Sequence, residues 1–514
     1  MDRRIRTFQR VVVRRLRDSL NDQTKQLLRK IEDDLDGLNN NVLQQVESID
    51  LLNERHVNAF NNNSKAPIMR NGEKGSQFQE KNFQIRESLL SALFQVPHIR
   101  TIYHIFTAFL INLVINTALH DYVKDGKITV GFRMIYWSFK DLPLGLIIWL
   151  GMQLVTLLVY SCFATWGTMR AKLFSSPFLR VWDWSFIILL ITFVVFMLTI
   201  PTYVIIRMNF SVALSFSLLM EQVRFVMKTH SFVRTCAPRV LSWNKNNKGG
   251  NPNEAIPSFK KFAYFLFAPT LLYRDEYPRS PQRRWKYVAF HFTEVLGVIC
   301  FLAFLYENYM LPAIQDFGKT PKTLEDIILV FFTINTPAIL YFMLGFFSLL
   351  HSWMNAFAEM LRFGDRMFYQ DWWNSGSFPE YYKKWNVIVH DWLYAFIYRD
   401  ATEKLTKNKV TSTWLVFLVS AIFHEFILAF TFRFCYPVLF IVFGICSTCL
   451  YFVPSKYFKS AGNFILWLML IVGVGFCASL YFLEFFARVN CPRTISSPIV
   501  DFFIPRSWSC GLLL

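Results

Sequence analysis

The sequence predicts an all-α polytopic membrane protein. Three observations carry that reading. Of 514 residues, 54% are hydrophobic, 55 are Phe and only 18% are charged, with a mean hydropathy of +0.30; soluble domains carry about 25% charged residues. Several apolar runs reach the roughly 20 residues that cross a hydrocarbon core, among them 142–166, 182–206, 287–311 and 464–486. No apolar stretch opens the chain, which begins with Arg3, Arg4, Arg6, Arg10, Arg14, Arg15 and Arg17 and stays polar for nearly a hundred residues. The first span is therefore internal, and the N-terminus is expected in the cytosol.

Residues 1–60 are read as a cytosolic segment. Leu28, Ile31, Leu35, Leu38, Val42, Gln45, Ile49 and Leu52 recur with the 3-4 spacing of a coiled-coil seam, which favours self-association into a dimer or tetramer. Gly37 and the Asn39–Asn41 run weaken that helix, and an amphipathic surface helix is the competing reading. A linker follows over 61–100, rich in Asn, Lys and Gly in its first part.

The membrane domain is placed at 101–490, with about nine spans near 102–118, 143–166, 183–206, 209–227, 286–311, 327–351, 411–432, 436–453 and 463–486. The fourth contains Glu221 and Arg224. It is retained because the segment 228–286 is basic, with Lys228, Arg234, Arg239, Lys260, Lys261, Arg274, Arg279, Arg283 and Arg284, and so is expected in the cytosol. The same parity puts 352–410 in the cytosol and the tail 491–514 in the lumen. A net charge of +18 follows from such loops beside anionic lipid, and no nucleic acid partner is expected. Of nine cysteines, most lie in apolar runs as small hydrophobes, and Cys446-x-x-Cys449 is a weak redox signal. Cys491 and Cys510 follow the last span, where an oxidising lumen would permit them to pair.

Ionisable residues inside spans are costly in lipid and mark function. His424 sits mid-span in "FLVSAIFHEFILAF", with Ser420 one turn earlier and Glu425 beside it. A buried His hydrogen-bonded to a neighbouring helix is the bland alternative. In "YYKKWNVIVHDWLYAFIYRD", Asn386, His390, Tyr394 and Tyr398 recur every fourth residue, so a helix aligns them in one polar stripe; an interfacial helix facing head groups would show the same pattern. "HSWMNAFAEMLRFGDRMFYQDWWN" alternates His351, Asn355, Glu359, Arg362, Asp365, Asp371 and Asn374 with large apolar groups. It is too polar for lipid and too apolar for a free loop, which predicts a helix buried among others with its charges paired.

The run Phe368-Tyr369-Gln370-Asp371-Trp372-Trp373-Asn374 resembles the FYxDWWN signature shared by the sterol and diacylglycerol branches of the membrane-bound O-acyltransferases, and His424 stands at that superfamily's intramembrane histidine. "FLFAPTLLYRDEYPRSP", "EQVRFVMKTHSFVR", "NAFAEMLRFGDRMFY" and "WNVIVHDWLY" resemble the sterol branch, and the likeness extends to Pro505-Arg506-Ser507-Trp508. The resemblance implies transfer of a long-chain acyl group from acyl-CoA to a sterol 3-hydroxyl in the endoplasmic reticulum, with a diacylglycerol or other lipid-alcohol acceptor as the alternative. It implies His424 as general base and Asn386 as the group that polarises the thioester. Trp385, His390, Tyr394, Tyr398, Lys409 and Ser420 are expected along the acyl-CoA path, and Cys491 and Cys510 as a disulfide. Glu380 and Lys383 depart from the family, which carries Asn and Arg there. No metal and no cofactor is expected; acyl-CoA is a co-substrate. The acid and amide of the signature are expected to hold its junction by internal hydrogen bonds, with the two Trp side chains filling volume.

Overall fold

The computed structural model describes residues 80–128, 130–246, 255–320, 322–453 and 461–510. The expected self-association helix at 25–55 lies outside the described residues. Ten helices organise the rest: α1 (Pro97–Asp125), α2 (Leu142–Lys172), α3 (Leu179–Arg207), α4 (Val212–Asn246), α5 (Trp285–Leu305), α6 (Leu324–Phe346), α7 (Phe378–Trp385), α8 (Val387–Leu393), α9 (Lys409–Phe432) and α10 (Gly462–Asn490). Wider π turns extend α5 at Tyr306–Met310 and α6 at Phe347–Trp353, after which the chain returns to α-helix over Met354–Met360. The described residues form no named strand, only isolated bridges such as Arg86 with Asp365.

Seven of the nine expected spans fall on helices long and apolar enough to cross a membrane: α1, α2, α3, α5 with its extension to Ile314, α6 with its extension to Met360, α9 and α10. The protein is thus a multi-pass membrane protein. The fourth expected span falls on α4. Its 35 residues reach about 52 Å, enough to cross, but it is amphipathic and is held by packing against α2, α3 and α9 instead of by lipid. Its charges are spent inside the protein: Arg224 Nε meets Glu221 Oε1 at 2.6 Å, the Trp149 indole donates to Glu221 at 2.7 Å, and Lys228 donates to the carbonyls of Phe265 and Ala268 at 2.6 and 2.7 Å. The eighth falls on a broken apolar segment, a π turn at Phe440–Cys446 followed by Ser447–Tyr451.

The largest buried cluster joins α2, α3, α4, the helix Phe259–Phe267 and the segment around the signature, with Phe163, Phe232, Phe265, Phe368, Tyr369 and Trp372 all within 1% of full burial. Elsewhere α6 packs along α10, and the missing side chain of Gly475 makes room for Asn335, which a Cβ there would strike. Residues 80–93, the end of the expected linker, lie as a strap on these helices. Arg86 grips Asp365 through two hydrogen bonds of 2.7 and 3.0 Å, its backbone N–H donates to Gly364 O at 2.9 Å, and Lys81 meets Asp391 at 2.5 Å. The tail is joined by the Cys491–Cys510 disulfide, and Asp501 there is bound by Arg488 and Arg506.

Candidate active site

Helix α9 starts at Asn408, whose side-chain oxygen accepts from the Val410 N–H at 2.9 Å and caps the first turn. Along it Leu418 and Ile422 are exposed and apolar, as a lipid-facing stripe would be. At ~100° per residue, His424 stands about 160° around the helix from Ile422 and about 120° from Leu418. It keeps accessible surface on a side of α9 apart from that stripe. Nδ1 of His424 lies 2.7 Å from the Ser420 carbonyl oxygen. A carbonyl only accepts, so Nδ1 carries the proton of the neutral ring and Nε2 presents a lone pair.

Two further groups shape this place. The Phe443 ring sits 5.3 Å from the imidazole, on the π turn 440–446, which approaches α9 closely because Gly444 has no side chain; a Cβ there would lie 2.9 Å from that of Ala421. Glu425, on the neighbouring face, is buried and accepts from the Tyr481 hydroxyl at 2.9 Å and the Phe440 N–H at 3.2 Å, which anchors the start of the same π turn. Sequence reading noticed Glu425 only as a neighbour of His424. Its partners are 15 and 56 residues away, and no local pattern announces them.

Asn386 stands between α7 and α8. Its Oδ1 accepts from the Val389 N–H at 3.1 Å and caps α8, and its Nδ2 group makes no hydrogen bond among the described residues, so two N–H donors remain available. The signature fixes this position from both sides: Gln370 N–H donates to Lys384 O and Val387 N–H donates to Phe368 O, each at 2.9 Å, bracketing Trp385 and Asn386. Phe368 and Tyr369 are buried, and Trp372 is fully buried against Trp385, whose ring also stacks on Phe342 at 4.5 Å. Trp373 is half-buried; its carbonyl accepts from Asn463 and Trp467 of α10 at 2.8 and 3.1 Å. Asp371 pairs with Lys384 at 3.0 Å. Asn374 differs from the expectation of an internal partner. Its side chain is exposed, because the short 3-10 turn Trp372–Asn374 points it outward.

The stripe also takes form. His390 and Tyr394 rings lie nearly parallel at 6.3 Å, Tyr394 and Tyr398 at 5.6 Å, and the turn Tyr394–Tyr398 packs on α9. Beside it, burial pushes the Asp391 carboxyl upward, but hydrogen bonds and charge from His390 and Lys81 outweigh this and hold it below its ordinary range. Rings connect α7, the helix that Asn386 follows, with His424: Tyr382 of α7 touches Phe417 and Phe443, and Phe443 touches His424. Ser420 is one turn from His424, with its hydroxyl at 3.4 Å from Nδ1. Lys409 is not part of this group. It lies exposed at the start of α9, about 22 Å along the axis from His424. The expected polar helix ends at Met360, and the chain from Leu361 to Asp371 is irregular; its charges still pair as expected, with Glu359, 1% exposed, meeting Arg284 at 3.0 Å and Arg366 at 2.6 Å.

Residues 66–483 match MBOAT, the membrane-bound O-acyltransferase family. Sterol O-acyltransferase 1 of Mus musculus is 40% identical over 440 residues, covering 84% of this chain and 79% of that protein. Sterol O-acyltransferase 2 of Homo sapiens is 39% identical over 435 residues, covering 84% and 81%. With a family match over most of its length and relatives of this identity and coverage, the chain belongs to the membrane-bound O-acyltransferase family.

Proposed function

We propose that the protein is an acyl-CoA:sterol O-acyltransferase, with His424 as general base and Asn386 as the donor to the oxyanion. The observation that carries the roles is the Nδ1–H of His424 held on the Ser420 carbonyl, which leaves Nε2 basic on a side chain that keeps accessible surface. A sterol hydroxyl is a poor nucleophile at neutral pH. Nε2 takes its proton as the oxygen attacks the thioester carbon, the carbonyl π electrons move onto oxygen, and the amide N–H groups of Asn386 stabilise that charge. Collapse of the tetrahedral intermediate breaks the C–S bond, and the imidazolium returns the proton to the departing CoA thiolate. The ester leaves into the bilayer.

The path fits two kinds of substrate. The exposed start of α9 at Lys409 and the His390–Tyr394–Tyr398 stripe suit the polar CoA, over a separation on the scale of its pantetheine arm. The apolar rings around His424 suit the acyl chain and the sterol. Residence in the endoplasmic reticulum membrane, a cytosolic N-terminus, a lumenal tail and a homo-oligomer are parts of the same proposal. The Cys491–Cys510 disulfide supports the lumenal tail, since cytosolic thiols stay reduced.

The experiment uses purified protein with oleoyl-CoA and either cholesterol or diacylglycerol. Cholesteryl ester is expected, and product from the glyceride alone would refute the acceptor. His424→Ala is expected to abolish ester formation in protein that still elutes as folded, and retained turnover would sink the assignment of the base.

A further inference from the structure

One buried cluster of ligand-type side chains lies outside the esterification site. His291 and Glu294 are one turn apart on α5, and His351 is on the π turn 347–353 that packs against α5. A ring nitrogen from each histidine and a carboxylate oxygen lie within 4.8 Å of one another. His291 is 3% exposed and His351 is 1% exposed. Nδ1 of His291 is 2.7 Å from Glu294 Oε2, while its Nε2 is buried with no hydrogen-bond partner. His351 uses Nδ1 against the Tyr369 hydroxyl at 2.7 Å, and its Nε2 makes no hydrogen bond among the described residues.

Charge makes the cluster unusual. Among the described residues no Lys or Arg pairs with Glu294, whose donors are His291, the Ser352 hydroxyl at 2.9 Å and the Tyr103 hydroxyl at 3.2 Å. A carboxylate this deep needs a positive partner. A proton on His291 would satisfy it, but would put a buried N–H with no acceptor at its Nε2. A divalent cation satisfies all three groups at once. Two imidazoles and one carboxylate are a donor set for zinc, whose ligands sit at about 2.0–2.2 Å and hence about 3.3 Å from one another; side chains already this close need only small rotations to reach it. The hydroxyls of Ser352 and Tyr369 then act as the outer hydrogen bonds that orient metal ligands.

We propose that His291, Glu294 and His351 form a zinc site, with a water in the fourth position, that ties α5 to the π turn of α6 and, through Tyr369, to the signature segment. It acts on the fold and not on the reacting atoms: Tyr369, which bonds His351, stands between Phe368 and Gln370, the two residues of the backbone bracket around Asn386. The test takes full-length protein in detergent, loads it with zinc, dialyses it into zinc-free buffer and counts the metal by mass spectrometry. About one ion per chain is expected, falling about tenfold in H291N and in E294Q. Cobalt in place of zinc gives a visible d–d band in the wild type that both variants lack. A wild type that retains no ion and shows no cobalt band overturns the site, as does retention of the ion by both variants or its loss on changing Cys446 and Cys449 to Ser. Should the variants aggregate, the wild-type cobalt spectrum decides alone: a band from nitrogen and oxygen ligation upholds the site, and its absence or a sulfur charge-transfer band overturns it.

Discussion

At the scale of the residue, His424 and Asn386 depend on what their second atoms do. His424 Nδ1–H donates to Ser420 O, and Asn386 Oδ1 accepts from the Val389 N–H, so each side chain has one end fixed and the other presented. This separates cap from catalysis at Asn386. Asn386→Asp keeps the cap oxygen but removes the N–H donors and adds a negative charge where the oxyanion forms. A fall of about 10²-fold or more in kcat is expected, with thermal stability held to within about 1 kcal/mol. Near-normal kcat in that variant would leave Asn386 only its capping role. His424 was legible in the sequence because an ionisable group inside an apolar span is conspicuous. Glu425 was not, because its importance rests on Phe440 and Tyr481.

At the scale of the element, the strap at 80–93 and the signature do related work. The signature reaches the site through backbone hydrogen bonds to Lys384 and Val387, and the strap reaches the irregular segment before the signature through Arg86 and Asp365. Asp365 is 3% exposed, and among the described residues its side-chain cation is Arg86. Arg86→Ala leaves that carboxylate buried without a counter-charge, which costs about 3–5 kcal/mol. A clear drop in thermal unfolding temperature is expected in detergent; an unchanged midpoint would mean that the strap is not docked in solution. Helix α4 shows the limit of hydropathy at this scale. Loop charge predicts a crossing there; α4 is long enough but is not among the seven apolar helices, and its Glu221, Arg224 and Lys228 are met within the protein.

At the scale of the whole molecule, the self-association proposed for this chain is assigned by its sequence to residues 1–60, outside the described residues. Deleting them is expected to lower the mass seen by size-exclusion with light scattering, while ester formation per chain persists if the membrane domain is complete; an unchanged mass would assign assembly to the membrane helices. The sequence by itself determined the class, the number of long apolar helices to within two, and the family through seven consecutive signature residues, because hydropathy and short motifs are local properties of the chain. The tertiary structure decided how the signature brackets Asn386 and that His351 meets His291 and Glu294. These depend on groups 14 to 60 residues apart being brought within hydrogen-bond reach, and only packing sets that distance.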